Sequence, residues 1–402
     1  MVGRRRETRK GTVDRTARTA LVISCLAYIA LGCFGAAIGP LLPQMAQQTG
    51  SALAAVGAIF TALSTGGLVA QLLAGPLSDR LSPRPVMLTG LVLLALGVVG
   101  ISISQNLLAL LGCALIAGFG QGAADIGGSL LVAVTFARRN VAAMNLLHLF
   151  FGLGATLGPA AVSLSLTFWA SGLAALWPAV ILPLLLLPST FRLRLSAHAG
   201  RVSVASPAMA IYRSPMLWAF AGLLGVYVGI EVGIGGWTTS YLVQTTGMAL
   251  EMAALATSGY WLMLSGGRLV STLLGTRLSA YAILGLSLAG TALASLGLLV
   301  GIGNQELTVI ATLLMGLSFG PIYPTVMALV TATFKSGPGR AASVITASAN
   351  LATMLIPWLQ GLLLAGLGPA SSPWFATLCC VIMVVFLMAA RKLDRERQAQ
   401  KG

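Results

Sequence analysis

The same pattern of apolar runs occurs twice in this chain, 198 residues apart. Residues 118–159 form two apolar runs around a basic turn, and the first run carries one carboxylate, Asp125. Residues 316–357 repeat the pattern, and four residues return at the same offset: Gly118, Gly122, Phe136 and Pro159 as Gly316, Gly320, Phe334 and Pro357. A duplicated apolar segment of this length is typical of a two-halved membrane transporter.

Twelve apolar runs, six on each side of a polar segment, are long enough to cross a bilayer. They fall at 19–43, 52–74, 86–104, 107–135, 142–165, 168–189, 215–243, 251–274, 279–302, 307–333, 341–366 and 372–390. We therefore expect an all-α membrane protein with 12 transmembrane helices in two pseudo-symmetric six-helix halves. The expected division is a basic tail at 1–18, halves at 19–190 and 214–390, a linker at 191–213 and a tail at 391–402.

The positions of the basic residues predict the orientation in the membrane. The net charge is +15, but the basic residues lie in short turns between apolar runs, which argues against a nucleic-acid partner. If the N-terminus is cytoplasmic, all 24 Lys and Arg residues fall on the cytoplasmic side, and the opposite turns hold Glu251 and Glu306. This asymmetry predicts cytoplasmic termini and a place in the inner membrane.

Neither the N-terminal apolar run nor the cysteines indicate a processing signal, a metal site or a disulfide. The apolar run at 20–42 is too long for a cleaved signal peptide and is interpreted as the first retained helix, after a disordered basic tail. The cysteines have no metal-ligand spacing, so neither a metal site nor a disulfide is expected. They are Cys25, Cys33, Cys113, Cys379 and Cys380.

The turn between the second and third runs carries a recognisable motif. Gly75, Asp79, Arg80 and Arg84 match positions of the loop G-x-L-x-D-R-x-G-R-[KR], with Ser82 in place of the second glycine and Pro83 beside Arg84. This loop resembles the signature of the major facilitator superfamily. The resemblance implies alternating access between two halves, with the loop acting as part of a cytoplasmic gate, to which we also assign Arg268. The alternative is an ordinary solvated turn.

Four stretches support a narrower resemblance. Residues 118–128 and 146–154 look like the fourth and fifth helices of the fucose–galactose–proton symporter branch, and 227–237 and 261–269 look like its seventh and eighth. Ser129 replaces an Asn frequent in relatives, and the first helix has no carboxylate. The resemblance implies sugar transport coupled to protons.

Asp125 and Glu231 are the two carboxylates deep within predicted spans. Placing such a charge near the bilayer centre costs about 2.5–3.5 kcal/mol, so it must face protein or water. Each is a candidate proton carrier, and each has a polar neighbour one helical turn earlier, Gln121 and Tyr227 respectively. The alternative is a structural carboxylate that is hydrogen-bonded to neighbours or paired with Arg268.

Several polar and aromatic residues are candidates for binding a solute. Asn145 and His148 share a face of the fifth helix, where His148 is either a cavity donor or an interhelical hydrogen-bonding residue. Aromatic rings beside glycine or proline suit a sugar ring, although such rings more often serve as anchors or core. The further candidates are Gln71, Gln121, Tyr227, Trp237, Trp261, Tyr323 and Asn350.

Two segments are expected to interrupt regular helix, namely the glycine-rich run at 233–236 and Pro324. Irregular backbone is tolerated in a membrane only where it packs on protein or lines a cavity. Both segments would then lie at the centre of the bundle.

No enzyme or phosphate-binding signature is present, so neither catalysis nor a cofactor is expected. The first hypothesis is proton-coupled symport of a sugar or similar small polar solute by a monomer that needs the lipid bilayer. The second is a proton-coupled antiporter that exports drugs or metabolites. The third is a membrane scaffold, which would need no titratable groups at the midplane.

Overall fold

A computed structural model describes residues 2–136, 140–169, 171–193, 209–334 and 338–399. Within these ranges, only the backbone is described at 2–15, 75, 76, 78–81, 134, 140–142, 209, 210 and 338–340. Most of the predicted linker at 191–213 and the last residues of the C-terminal tail therefore lie outside the described residues.

The described chain is entirely helical. The N-terminal half contains α1 (Val2–Thr49), α2 (Leu53–Val56), α3 (Ala58–Leu81), α4 (Pro83–Ile103), α5 (Leu107–Thr135), α6 (Asn140–Trp169), a 3₁₀ turn (Gly172–Leu176) and α7 (Pro178–Arg192). A short helix, α8 (Met209–Tyr212), precedes the C-terminal half. That half contains α9 (Pro215–Thr246), α10 (Leu250–Leu274), α11 (Ala280–Val300), α12 (Gln305–Phe319), α13 (Ile322–Thr333), α14 (Pro338–Leu367) and α15 (Ser371–Ala399).

These helices form twelve membrane crossings, because α2 with α3, the 3₁₀ turn with α7, and α12 with α13 each make one. Eleven crossings in the described part of the chain are apolar and long enough to span a bilayer by themselves. The twelfth is α10, whose polar residues, including Arg268, lower its hydropathy. It packs against α6, α9 and α12 and is thereby shielded by protein. The protein is a multi-pass membrane protein.

The two halves pack alike, as the sequence repeat predicts. Helix α4 packs on α5, α1 on α6 and α3 on α5, and the equivalent pairs α11 with α12, α9 with α14 and α10 with α12 also pack together. Between the halves, α6 contacts α10, α3 contacts α14 and α1 contacts α9. Both termini lie at one face of the bundle, which we call the terminal face; the other is the far face.

Several local features differ from the expectation. Helix α1 begins at Val2 and so includes the basic segment before the first apolar run, and α15 extends to Ala399, past the end of the last apolar run. Lys, Arg, Glu and Gln are good helix formers, so both helices continue beyond the apolar spans. The glycines at 233–236 lie within the uninterrupted helix α9, where they permit close packing against neighbouring helices. The expected break near Pro324 occurs earlier, between Phe319 and Ile322.

The halves meet most closely toward the far face. A Cβ atom on Gly39 of α1 would lie 2.5 Å from the Gly236 carbonyl oxygen of α9, so the two backbones are in direct contact. The Thr61 hydroxyl donates to the Met354 carbonyl oxygen at 2.7 Å, which joins α3 to α14. The interface between the two halves, which we call the seam, is therefore sealed on the far side of the bundle.

Toward the terminal face the seam is open. Asn145 and His148 of α6 are exposed, although α6 packs on α1 and α10. His148 lies about 12 Å along α6 from its terminal-face end at a rise of about 1.5 Å per residue. Asn145 and His148 are therefore exposed on the terminal-face side of the sealed contacts, where we expect the solute cavity to open.

Candidate functional site

A hydrogen-bonded cluster surrounds Asp125 in the N-terminal half. The Tyr28 hydroxyl of α1 donates to Asp125 Oδ1 at 2.5 Å and lies 2.6 Å from Ser129 Oγ. The Tyr28 ring also meets His148 edge to face, with centroids 6.1 Å apart. His148 in turn is within electrostatic range of both Asp125 and Arg268. Three helices of one half thus converge on a single carboxylate.

The second carboxylate, Glu231 on α9, belongs to a different environment. Its residue is 7% exposed, and Oε1 lies 3.5 Å from Nη2 of Arg268 on α10. That distance is longer than the roughly 2.7–2.9 Å of a strong charge-assisted hydrogen bond, so the ion pair is loose. The Tyr260 hydroxyl donates to the Glu231 carbonyl oxygen at 3.0 Å and fixes the backbone beside it.

Several buried polar atoms around this ion pair have no hydrogen-bond partner among the described residues. They are Nε of Arg268, the hydroxyl of Tyr227 and Nε1 of Trp261. The Tyr227 hydroxyl lies close to the Glu231 carboxylate. Leaving a buried donor unpaired costs about 1–3 kcal/mol, which applies to the donors of Arg268 and Trp261 in this conformation.

Tyr323 of α13 connects the two clusters. It is within electrostatic range of Asp125, Glu231 and Arg268, and it lies close to Thr346 of α14. The structure therefore brings together the predicted residues Asp125, His148, Tyr323, Glu231 and Arg268, from both halves, at the middle of the bundle.

Other predicted solute contacts lie at the seam but are bonded to each other. The Asn350 amide on α14 donates to Gln71 Oε1 on α3, so these two residues hold the halves together in this conformation. Gln121 on α5 lies beside Gly35 of α1, because its Nε2 would be 3.5 Å from a Cβ atom there. Asn145 is exposed near the mouth of the cavity.

Trp237 and Trp261, both predicted solute contacts, differ in how far their rings are buried. Trp237 is 1% exposed, donates from Nε1 to the Pro357 carbonyl oxygen at 2.8 Å and packs on Gly57, Gly361 and Phe60. No face of that ring is open to a solute in this conformation. Trp261 is half-buried, meets Tyr260 edge to face at 5.2 Å and retains its free indole N–H.

The gate-loop residues are only partly described. The side chains of Gly75, Asp79 and Arg80 lie outside the described residues. Arg84 donates from Nη1 to the Leu193 carbonyl oxygen at 3.2 Å, a contact within the N-terminal half. Arg268, assigned to the gate loop by the sequence, pairs with Glu231 inside the bundle.

The sequence analysis missed Tyr28, Ser129 and Thr346 as members of the site. The repeat contained a signal for Thr346, because Asp125 and His148 correspond to Tyr323 and Thr346 at the offset of 198 residues. Each half therefore brings equivalent positions of its fourth and fifth crossings together, and the C-terminal half replaces the Asp and His by neutral hydroxyls.

One family profile covers most of the chain. The profile described as "Major Facilitator Superfamily" matches residues 24–335 and 234–402. The chain belongs to the major facilitator superfamily. Members of the superfamily are transporters and not enzymes. The expectation from the turn at 75–84 and from the duplicated halves is confirmed at this level.

Curated relatives within the superfamily carry sugar-related names. The sodium-dependent glucose transporter 1 of Danio rerio is 24% identical over 392 residues, covering 88% of this chain and 66% of that protein, just under two thirds of its length. The Homo sapiens protein of the same name is 23% identical, covering 94% of this chain and 81% of its own length. These are distant relatives.

Solved structures confirm the fold. A D-xylose-proton symporter superposes with a TM-score of 0.78 at 14% identity, covering 92% of this chain and 96% of that chain. A mutant of the nucleoside transporter NupG gives a TM-score of 0.77 at 16% identity, covering 93% of this chain and 99% of that chain. At these identities the similarity establishes the architecture alone.

Proposed function

We propose that this protein is a cation-coupled symporter that carries a sugar or a similar small polyhydroxylated solute by alternating access. The observation that carries the proposal is the difference between the two membrane carboxylates. Glu231 is held by Arg268, whereas no ion pair to Asp125 occurs among the described side chains. Asp125 instead accepts a hydrogen bond from the neutral Tyr28 hydroxyl. It is therefore the group free to take up a cation.

The coupling cation in this proposal is the proton. His148, exposed to the cavity and close to Asp125, provides a route for the proton from the terminal face. Glu231 then serves to position Arg268 and is not the coupling group.

Sodium is the second candidate cation. The relatives are named sodium-dependent, and three oxygens, from Asp125, Tyr28 and Ser129, lie together within hydrogen-bonding distance. Hard cations prefer such oxygen ligands. The two ions differ in what they would require of Tyr28, because a metal ion needs its oxygen and a proton on Asp125 does not.

The solute site in this proposal is the C-terminal side of the cavity. The unpartnered donors of Arg268 and Trp261 suit the oxygen atoms of a polyhydroxylated solute. The half-buried Trp261 ring offers an apolar surface beside them, as sugar rings require. We retain Asn145, His148 and Tyr323 as further contacts and leave Trp237 out of the site because its indole N–H already donates to the Pro357 carbonyl oxygen.

The proposal is tested by uptake of labelled hexoses into proteoliposomes under an imposed gradient of either protons or sodium. A gradient of about two pH units supplies about 2.7 kcal/mol, enough for about a hundredfold accumulation with one proton per solute. We expect Asp125→Asn to abolish accumulation while solute exchange at equilibrium continues. Accumulation driven by sodium alone would favour the second cation.

Glu251→Gln provides the matched control, because Glu251 lies in the first turn of α10 at the far face, away from the cluster. This variant should accumulate solute like the parent. Undiminished accumulation by Asp125→Asn would refute the coupling role. Extrusion of an apolar dye without hexose uptake would instead support an efflux antiporter.

A further inference from the structure

A groove on the outside of the N-terminal half is separate from the transport site. It lies between the beginning of α4 and the end of α7 and has a volume of about 620 Å³. The volume falls within the roughly 300–1,000 Å³ of small-molecule sites. The lining residues are mostly apolar and are Leu88, Thr89, Val92, Leu93, Leu187, Pro188, Phe191 and Arg192.

One end of the groove is positively charged. Arg192, the last residue of α7, is exposed and lines the groove directly. The Arg84 guanidinium lies 4.9 Å from the centroid of the Phe191 ring, which is itself a lining residue and 66% exposed. Arg84 is held there by its hydrogen bond to the Leu193 carbonyl oxygen. Arg84 and Arg192 are therefore both found at the end of the groove that Phe191 lines.

The charged end coincides with the level expected for lipid phosphates. Arg192 stands where the apolar span of α7 ends, at the terminal face of the bundle. Leu88 and Val92 lie about 8 and 14 Å along α4 from its first residue, at a rise of about 1.5 Å per residue. The apolar part of the groove therefore runs from the headgroup level toward the bilayer interior.

We propose that this groove binds one phospholipid with an anionic headgroup, its phosphate at Arg192 and Arg84 and one acyl chain along the apolar wall. An acyl chain gains no hydrophobic free energy by moving from bilayer to groove, because both are apolar. Preference for this lipid over a neutral one must therefore come from the headgroup. Basic pockets between membrane helices select such headgroups, by about fivefold for each basic residue near the surface.

The test places a reporter in the groove and measures relative lipid binding. Phe191→Trp keeps an aromatic ring beneath Arg84, because Trp is the best cation–π partner. The variant is reconstituted in phosphatidylcholine that contains brominated phosphatidylglycerol or brominated phosphatidylcholine, and the quenching of its additional fluorescence over the parent chain is compared. We expect phosphatidylglycerol to be preferred by about fivefold or more.

Matched variants identify the charge responsible. In the reporter background, Arg192→Gln should lower the preference by about fivefold, while Arg192→Lys should largely retain it. Arg277→Gln is the control, because Arg277 is exposed near the terminal face at the end of α10, outside the groove. Equal quenching by the two lipids, or an equal loss in Arg277→Gln and Arg192→Gln, would overturn the proposal.

Discussion

At the residue scale, the ion pair between Arg268 and Glu231 bears on stability and, in the proposed function, on solute binding. The Glu231 side chain is 9% exposed and the Arg268 side chain 31%, so removing either partner leaves the other poorly solvated. Breaking a fully buried pair costs about 3–5 kcal/mol, and replacing both charges is often neutral. The partial exposure of Arg268 reduces that cost here.

The expected result is therefore non-additive. Glu231→Gln and Arg268→Gln should each destabilise the protein by about 1–3 kcal/mol, whereas the double variant should recover most of that loss. Thermal unfolding in detergent measures the effect, and hexose binding should be lost in both variants that lack Arg268. The exposed pair Lys392 and Glu396 provides the control, where Glu396→Gln should cost less than about 0.5 kcal/mol. Additive losses would contradict the assigned pairing.

Helices α1 and α9 seal the far face at the element scale through glycine. Gly39 approaches Gly235 and Gly236 so closely that a Cβ atom would lie 2.5–2.9 Å from their backbone atoms. Backbone atoms cannot move aside as a flexible side chain does. Contacts between small residues are the usual way for membrane helices to pack tightly, and here the contact joins the two halves.

Gly39→Leu should therefore force the far face apart and favour the conformation that opens there. Labelling of Asn145→Cys by a maleimide, in a background without native cysteines, should slow as the terminal-face opening closes. Gly112→Leu is the control, because a Cβ atom at Gly112 meets nothing within 4 Å. A monodisperse protein whose labelling rate stays unchanged would show that this contact does not control the seam.

At the scale of the whole molecule, the charges enclosed between the two halves limit how many cations can be carried with each solute. Asp125 and Glu231 contribute two negative charges and Arg268 one positive charge, with His148 neutral. Enclosing an uncompensated charge in a low-dielectric interior is expensive, so the loaded state should be neutral. One monovalent cation together with a neutral solute satisfies this condition.

We therefore expect transport to be electrogenic, with one charge moved per solute. A potential of about 100 mV supplies about 2.3 kcal/mol per charge and should by itself drive about fiftyfold accumulation. Proteoliposomes with a potassium diffusion potential measure this. Asp125→Asn should remove the dependence on potential. Accumulation that does not change with the potential, or that reaches the square of the expected factor, would contradict the transport of one cation per solute.

The sequence by itself determined the twelve crossings, the duplicated halves and the level of the two carboxylates. These follow from apolar run length and from the cost of charge in hydrocarbon, both of which are local properties. It also contained the correspondence between Asp125 with His148 and Tyr323 with Thr346, because a repeat preserves equivalent positions.

Only the tertiary structure decided which partner each side chain meets. Tyr28 lies 97 residues from Asp125, and Trp237 lies 120 residues from the carbonyl oxygen that binds its N–H. Hydropathy cannot distinguish the buried Trp237 from the half-buried Trp261. It also cannot distinguish a helix that is broken at glycine from one that uses glycine for close packing. Both outcomes depend on which residues of neighbouring helices lie next to the position. For the same reason, the pairing of Glu231 on α9 with Arg268 on α10 and the absence of an ion pair to Asp125 among the described side chains emerge only when the helices are packed together.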